Sequence, residues 1–372
     1  MRIETISVHA GRNVDPATGA VTPPIHLTTT FEREADGNYP KGFNYSRNNN
    51  PNRESLERCL TALEGGETAA AFSSGSAAAI SIFQSLTPGD HVILSDDIYH
   101  GTKKLIRQFD KWGLSSTFVD MTNINQLNSA FKKNTKIIWI ETPSNPLLKI
   151  IDLKKVSDLA HNSGAAVVCD NTWATPVLQS PFEFGVDLVL HATTKYIGGH
   201  SDVLGGAVVS KADNELFEKI SDIQKTGGAV PSPFECWLTL RGIQTLPVRI
   251  RTQSESAMEI AEFLNKHKAV SKVHYPGLPK HPGHSLASTQ MKLYGGMISF
   301  EVKGSKEDAM KAASRVKLFT RATSLGGPES LIEHRASIEG EGTKTPQNLL
   351  RLSIGLEHPR DLIDDLDQAL SF

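Results

Sequence analysis

The sequence is poor in cysteine. Cys59, Cys169 and Cys236 are the whole complement of a 372-residue chain. They are odd in number and form no CxxC pair, which argues against a disulfide framework or a zinc site and for reduced thiols. An excess of either charge is also missing, since 39 Lys and Arg stand against 41 Asp and Glu. No block of like charge is available to track a nucleic-acid backbone or an anionic membrane, so neither is an expected partner. No apolar run approaches bilayer-spanning length, and the start, Met1-Arg2-Ile3-Glu4-Thr5-Ile6, has no apolar signal-peptide core. A cytoplasmic protein is therefore expected. Internal repeats and low-complexity tracts are absent as well. What remains, 39% hydrophobic and 22% charged residues, is ordinary for a soluble globular protein with room for two or three domains.

Residues 1–50 are rich in Thr, Asn, Gly and Pro without a sustained period, and they read as an extended arm that reaches a neighbouring subunit. Within this arm, Tyr45 and Arg47 combine a phenol and a guanidinium, either a phosphate-holding pair or part of a solvated turn. Residues 51–245 read as the large domain. A helix is predicted over 53–63, where Leu56, Cys59, Leu60 and Leu63 recur at helical spacing before Gly65-Gly66. Apolar strand candidates at 69–72, 91–94, 117–119, 136–140, 165–169, 186–190 and 207–209 alternate mostly with helical stretches. That pattern argues for an α/β fold with a largely parallel, doubly wound sheet. A long helical pattern from 234 to about 266 is expected to bridge two domains. Residues 246–372, this linker helix included, read as a smaller α+β domain with strands near 297–302 and 350–354 and a closing helix from Pro359. His274, His281 and His284 lie in a Pro-Gly-rich stretch without a regular ligand frame, so no metal site is expected.

Lys195 follows a predicted strand and precedes Gly198-Gly199, which puts its amine on a loop at a sheet edge, where α/β enzymes place ligands. A lysine among small and hydroxyl residues is either an ordinary surface residue or a Schiff-base nucleophile. The usual partner of such a nucleophile is pyridoxal phosphate, which also requires a carboxylate for its ring nitrogen and donors for its phosphate. Asp170 ends another strand and is a candidate for that carboxylate, with a helix N-cap as the competing reading. The turn Ser73-Ser74-Gly75-Ser76 is neither a P-loop nor a GxGxxG turn. It reads either as a phosphate seat at a helix start or as a simple tight turn.

The motifs Ser74-Gly75, Asp97-Ile98-Tyr99, Glu141-Thr142-Pro143-Ser144-Asn145-Pro146, Asp170-Asn171-Thr172 and Thr194-Lys195-Tyr196 occur in that order. Together they resemble the cystathionine γ-synthase/γ-lyase family, the Cys/Met-metabolism pyridoxal-phosphate enzymes of the aspartate-aminotransferase fold, known as fold type I. The likeness runs from Thr22-Pro23-Pro24-Ile25 to Arg351-Leu352-Ser353-Ile354-Gly355-Leu356-Glu357. It implies pyridoxal 5'-phosphate held by Lys195, with Asp170 on the ring nitrogen and Tyr99 stacked on the ring and handling protons. Gly75 and Ser76 would offer backbone N–H groups to the phosphate, Thr194 a hydroxyl, and Thr172 would complete the cofactor set. Tyr45 and Arg47 would reach the phosphate of a neighbouring subunit, which implies a homo-oligomer of site-sharing pairs, a dimer at least and a tetramer in the family pattern. Arg351, Asn145 and the backbone around Ser324 would hold the α-carboxylate of an amino-acid substrate.

Three positions depart from the family. Ala192 stands where a phosphate-binding serine is usual. Lys104 stands where an arginine would read a distal carboxylate, and Thr323 stands where the cystathionine enzymes commonly carry glutamate. Gly101 stands where methionine γ-lyases often have cysteine. The implied activity is γ-replacement or γ-elimination on homoserine esters or sulfur amino acids, with cystathionine γ-synthase ahead of γ-lyase. A β-lyase or aminotransferase on the same fold, and a non-catalytic pyridoxal-binding regulator, are the alternatives.

Overall fold

The computed structural model describes residues 1–340 and 343–371. Its short apolar runs form seven strands of one sheet: β1 (Thr68–Phe72), β2 (His91–Ser95), β3 (Ser115–Val119), β4 (Thr135–Glu141), β5 (Ala166–Asp170), β6 (Leu188–His191) and β7 (Gly206–Ser210). The order across the sheet is β1-β7-β6-β5-β4-β2-β3. All strands run parallel except β7, which is antiparallel to both neighbours. Parallel strands are covered on both faces by their crossover helices and so are apolar throughout. In accordance with this, β2 and β6 are buried at every position, whereas β3, at the edge, is half-buried. The two faces carry separate cores, one containing Phe83 and Trp139 and the other Ile138, Val167 and Val189.

A second sheet follows, built from β8 (Val270–His274), β9 (Met297–Val302), β10 (Thr320–Arg321), β11 (Leu331–His334) and β12 (Leu349–Ser353) in the order β10-β11-β12-β9-β8. Only β10 and β11 are parallel. In β11 and β12, Glu333 stands directly opposite Arg351, so the ladder itself sets this charged pair face to face.

The helix predicted over 53–63 spans Pro51–Glu64, with the Asn50 side chain accepting from the Asn52 N–H. Two expectations need correction. The helical stretch from 234 to 266 is two helices, Pro233–Ile243 and Leu246–Lys266. Pro247 has no N–H to give the Ile243 carbonyl and its ring would clash there, so it fits only the first turn of a new helix. The arm is also not wholly extended, because Ile3–His9 is helical and its Ile3 and Ile6 pack on the core. Beyond it, one bridge between Thr30 and Tyr45 is the only ladder pairing among the described residues up to Asn50.

The closing helix Pro359–Leu370 is fastened by one side chain. The Asp365 carboxylate, buried, accepts the backbone N–H groups of Lys317 at 2.8 Å, Leu318 at 2.8 Å and Phe319 at 3.2 Å. Asp365→Ala leaves these donors without their acceptor and should lower the unfolding free energy by about 3 kcal/mol. Asp365→Asn, which keeps one acceptor oxygen, should lose less. Urea denaturation followed by tryptophan fluorescence checks this order.

Candidate active site

The carboxyl ends of β4, β5 and β6 open onto a cavity whose wall also takes residues from the second sheet and its loops. Two strand-end acids face each other here. Glu141 and Asp170 are register partners at the ends of β4 and β5. Burial, and then the nearby Asp170, pushes the Glu141 carboxyl well above its ordinary range, although its Oε2 accepts the Tyr99 backbone N–H at 2.8 Å. Burial likewise raises Asp170 against the pull of Thr172, whose N–H donates to Asp170 Oδ1 at 3.1 Å. That contact is a local turn, and the following helix starts only at Thr175, so Asp170 is not its N-cap.

The loop after β6 delivers Lys195, whose Nζ donates to Ser324 Oγ at 2.6 Å. Burial first, and the Arg351 charge second, press the amine down to about 8 from its usual alkaline value. Ser324 comes from the second sheet, in the loop after β10. It holds φ at +94°, a backbone state that is costly for a residue with a side chain and that clusters at functional sites. The loop lies hard against the lysine segment. A Cβ on Gly326 would stand 2.6 Å from the Tyr196 nitrogen, so only glycine allows that approach.

Arg351, on β12, is buried against the Trp173 ring, 5.8 Å from its centroid. Its Nη1 donates to Asn145 Oδ1 at 3.0 Å, and its Nη2 reaches the Ser324 carbonyl at 3.3 Å and Glu333 Oε1 at 3.3 Å. Burial lowers the guanidinium to about 10. On the opposite wall, Ser74 caps the helix Gly75–Gln84 by accepting the Ala77 N–H at 3.1 Å, leaving the first turn of that helix facing the cavity. A Cβ on Gly75 would lie 2.8 Å from Ala192 Cβ, so both positions are kept small.

Asn145, Tyr99, Thr172, Thr194, Thr323, Ser324, Ser76 and Gly75 thus line the cavity together with Lys195, Asp170 and Arg351. Within that set the Thr194 hydroxyl is closed on Gly205, donating to its carbonyl at 3.1 Å and accepting from its N–H at 3.0 Å. The Thr172 hydroxyl accepts the Ala192 N–H at 2.9 Å. Tyr99 is 42% exposed at the mouth. Three sequence candidates lie elsewhere in the single chain. Tyr45 and Arg47 stack on one another, 5.7 Å from guanidinium to ring centroid, and Arg47 donates to the Lys225 carbonyl at 2.7 Å. Lys104 is exposed on the helix His100–Gln108 and is not part of the wall.

Glu141, Trp173, Leu325 and Arg335 also line the wall; the sequence reading gave none of them a role, and Glu141 stood there only within a motif. Glu141 carried the same signal as Asp170, an acid ending a buried strand. The other three reach the site through contacts distant in sequence and gave no local sign. The three histidines of the 274–284 segment each have a partner of their own: His274 pairs with Glu301 at 2.8 Å, His284 Nδ1 meets the Pro276 carbonyl at 2.8 Å, and His281 Nδ1 accepts the Gly283 N–H at 3.0 Å. Among the described residues no helix is long and apolar enough to cross a membrane.

The donor set fits pyridoxal phosphate. A lysine stripped of part of its proton affinity, an acid raised by burial that a protonated ring nitrogen would offset, and a glycine cradle at a helix start share one cavity. This combination on a mostly parallel sheet defines a fold type I pyridoxal-phosphate enzyme. Residues 4–371 match the model of the Cys/Met metabolism PLP-dependent enzymes, and the chain belongs to that family, which makes pyridoxal phosphate its cofactor. It is 46% identical to a cystathionine gamma-synthase of Mycobacterium tuberculosis over 98% of this chain and 96% of the relative. It is 44% identical to a cystathionine beta-lyase of Coxiella burnetii over 99% and 97%. The crystal structure of metB from Corynebacterium glutamicum superposes with a TM-score of 0.97 at 45% identity, covering 100% of this chain and 98% of that one.

The lysine gives a pH test. Only the neutral amine attacks an aldehyde, so below about 8 the rate at which cofactor-free protein captures pyridoxal phosphate should rise about tenfold per pH unit and then level off. The growth of the visible absorption band measures this rate, and Lys195→Ala should abolish it. A rate that climbs on past pH 10 would show an ordinary, solvated lysine.

Proposed function

We propose that this chain carries out γ-replacement on O-acylhomoserines, cystathionine γ-synthase in type, with γ-elimination as the outcome when water takes the place of the thiol. The observation that carries this reading is that the Lys195 amine, near 8 and 2.6 Å from Ser324, shares a cavity with Asp170 and with the amino-acid-sized clamp of Arg351 and Asn145. Bound there, pyridoxal phosphate supplies an electron sink for charge left at the substrate α-carbon. Lys195 holds the cofactor at rest. Once displaced by the substrate amine, it serves as the base that takes the α-proton, since an amine near 8 is partly free at neutral pH. Ser324 orients that amine, and Tyr99 at the mouth assists proton transfer toward the leaving group. Asp170 holds a proton at the ring nitrogen. Arg351 grips the α-carboxylate in a fork that Asn145 and Glu333 keep in place. Gly75 and Ser76 offer N–H groups to the phosphate, with the Thr194 hydroxyl adding a donor after turning from Gly205.

The β-lyase name among relatives at 44% identity favours a second reading on the same site, β-elimination from cystathionine. Products separate the two. γ-Chemistry on cystathionine gives 2-oxobutanoate, ammonia and cysteine, whereas β-elimination gives pyruvate, ammonia and homocysteine. Incubation of the holoenzyme with cystathionine, and with O-succinylhomoserine or O-acetylhomoserine with and without cysteine, should yield cystathionine from an ester plus cysteine and 2-oxobutanoate in its absence. Pyruvate as the main keto acid would install the β-lyase reading.

The arm supports a site shared between copies, because Tyr45 and Arg47 lie outside their own cavity on a segment with little secondary structure of its own. We take the protein as a cytoplasmic homo-oligomer, and the buried free thiols of Cys59, Cys169 and Cys236 suit a reducing compartment. Mixed Arg47→Ala and Lys195→Ala subunits should regain part of the activity that each variant lacks alone. Verified hybrids without recovery would mean that each site is built from one chain.

A further inference from the structure

Arg351 accounts for one carboxylate, yet the same cavity wall carries a second guanidinium. Arg335 opens the short helix after β11 and is 1% exposed. An arginine in such a place is always charged and presents five N–H donors. Three are committed among the described residues: Nη1 to Glu333 Oε1 at 2.6 Å, Nε to Glu339 Oε1 at 3.2 Å and Nη2 to His100 Nδ1 at 2.9 Å. Because Nη2 can only donate, His100 Nδ1 must accept, so the imidazole is neutral with its proton on Nε2. Burial, then the Arg335 charge, holds His100 below its usual value and keeps it that way at neutral pH.

The two carboxylates on Arg335 are each shared. Glu333 Oε1 also meets Arg351, and the two guanidinium groups outweigh burial to keep Glu333 ionised below its ordinary value. Glu339 Oε2 takes the hydroxyls of Thr343 and Thr345, the latter at 2.7 Å. One carboxylate oxygen thus serves two cations, and the α-carboxylate of a substrate answers only Arg351. Thr323, neutral, lines the cavity, hydrogen-bonds Glu333 behind the wall and adds no negative charge.

We propose that Arg335, held by Glu333, Glu339 and His100, is the specificity-determining residue that receives a second anionic group, a carboxylate at the far end of the γ-substituent. The assignment rests on the γ-replacement reading above. It moves the distal contact from Lys104, exposed and outside the wall, to a buried fork able to fix a carboxylate's direction.

The test compares the holoenzyme and variants on substrates with an anionic far end, O-succinylhomoserine and cystathionine, and with an uncharged one, O-acetylhomoserine and methionine. Arg335→Met should lose about thirtyfold in kcat/KM on the anionic pair, the scale of one charged hydrogen bond, with less than about threefold change on the uncharged pair. Arg335→Lys should recover only part, since a point charge lacks the fork. Equal losses on both pairs would make Arg335 a brace for Glu333 and Arg351 and overturn the assignment, as would a larger selective loss in Lys104→Met. Binding is read separately from the shift of the cofactor's visible spectrum on titration with cystathionine and with methionine. A holoenzyme inert toward all four compounds sinks the proposed reaction, while a wild-type preference for cystathionine that vanishes in Arg335→Met still upholds the assignment, and no such preference ends it.

Discussion

The structure depends on keeping cations dry. Lys195, Arg351 and Arg335 line one cavity, and each would be better solvated in water than in protein. Burial, reinforced by the neighbouring guanidinium charges, takes the lysine to about 8 and Arg351 to about 10, so the site already strains toward losing protons. What holds it is two carboxylates for three cations: Glu333, opposite Arg351 in the β11 and β12 ladder and in contact with Arg335, and Glu339, which meets Arg335 alone. A cationic wall with limited internal compensation is a wall that favours anions, and the natural anions for it are the carboxylates of an amino acid.

Neither sheet makes this site alone. The first provides the strand ends with Glu141, Asp170 and the Lys195 loop, and the second provides Ser324, Glu333 and Arg351. The joint is intimate: Gly326 lies against the Tyr196 backbone, Arg351 stacks on Trp173, and Arg351 Nη1 donates to Asn145 Oδ1 at 3.0 Å. Such an arrangement sets a lysine amine to a strained serine within hydrogen-bond length, a placement that separate sheets with a loose hinge would not hold.

Local chemistry was legible in the sequence wherever a residue's position along its own element determined its surroundings. Lys195 and Asp170 each follow an apolar strand, and the Ser74-Gly75-Ser76 turn precedes a helix, so strand ends and helix starts told where they would gather. The parallel sheet was legible for the same reason, as its buried strands are apolar runs. Pro247 broke a helix that periodicity alone joined, because a hydrophobic pattern does not see a missing N–H. Trp173 stayed hidden because its partner Arg351 lies far away in the chain, and Arg335 with Glu333 because a local charge pair looks like a solvated surface until His100 and Arg351, from distant elements, face it. Lys104 drew attention by its place in a motif, whereas its exposure is a matter of which way its helix turns.

The two acids at the strand ends complete the electrostatic logic. Glu141 and Asp170 stand side by side in register, and two buried carboxylates in that relation do not both ionise without a cation between or beside them. Burial raises both, yet their local hydrogen bonds differ. Glu141 takes the Tyr99 N–H and touches no cation at hydrogen-bond distance among the described residues, while Asp170 has the Thr172 N–H and feels the charge of His191 behind it. His191 is itself 2.5 Å from Glu64. The pair is therefore biased: Asp170 is the acid that ionises first, and Glu141 the one that keeps its proton. On the proposed reading, a positive ring nitrogen brought to Asp170 would deepen that bias, because it would stabilise the charge already favoured there, and the neutral Glu141 would add no repulsion to a substrate carboxylate entering toward Arg351.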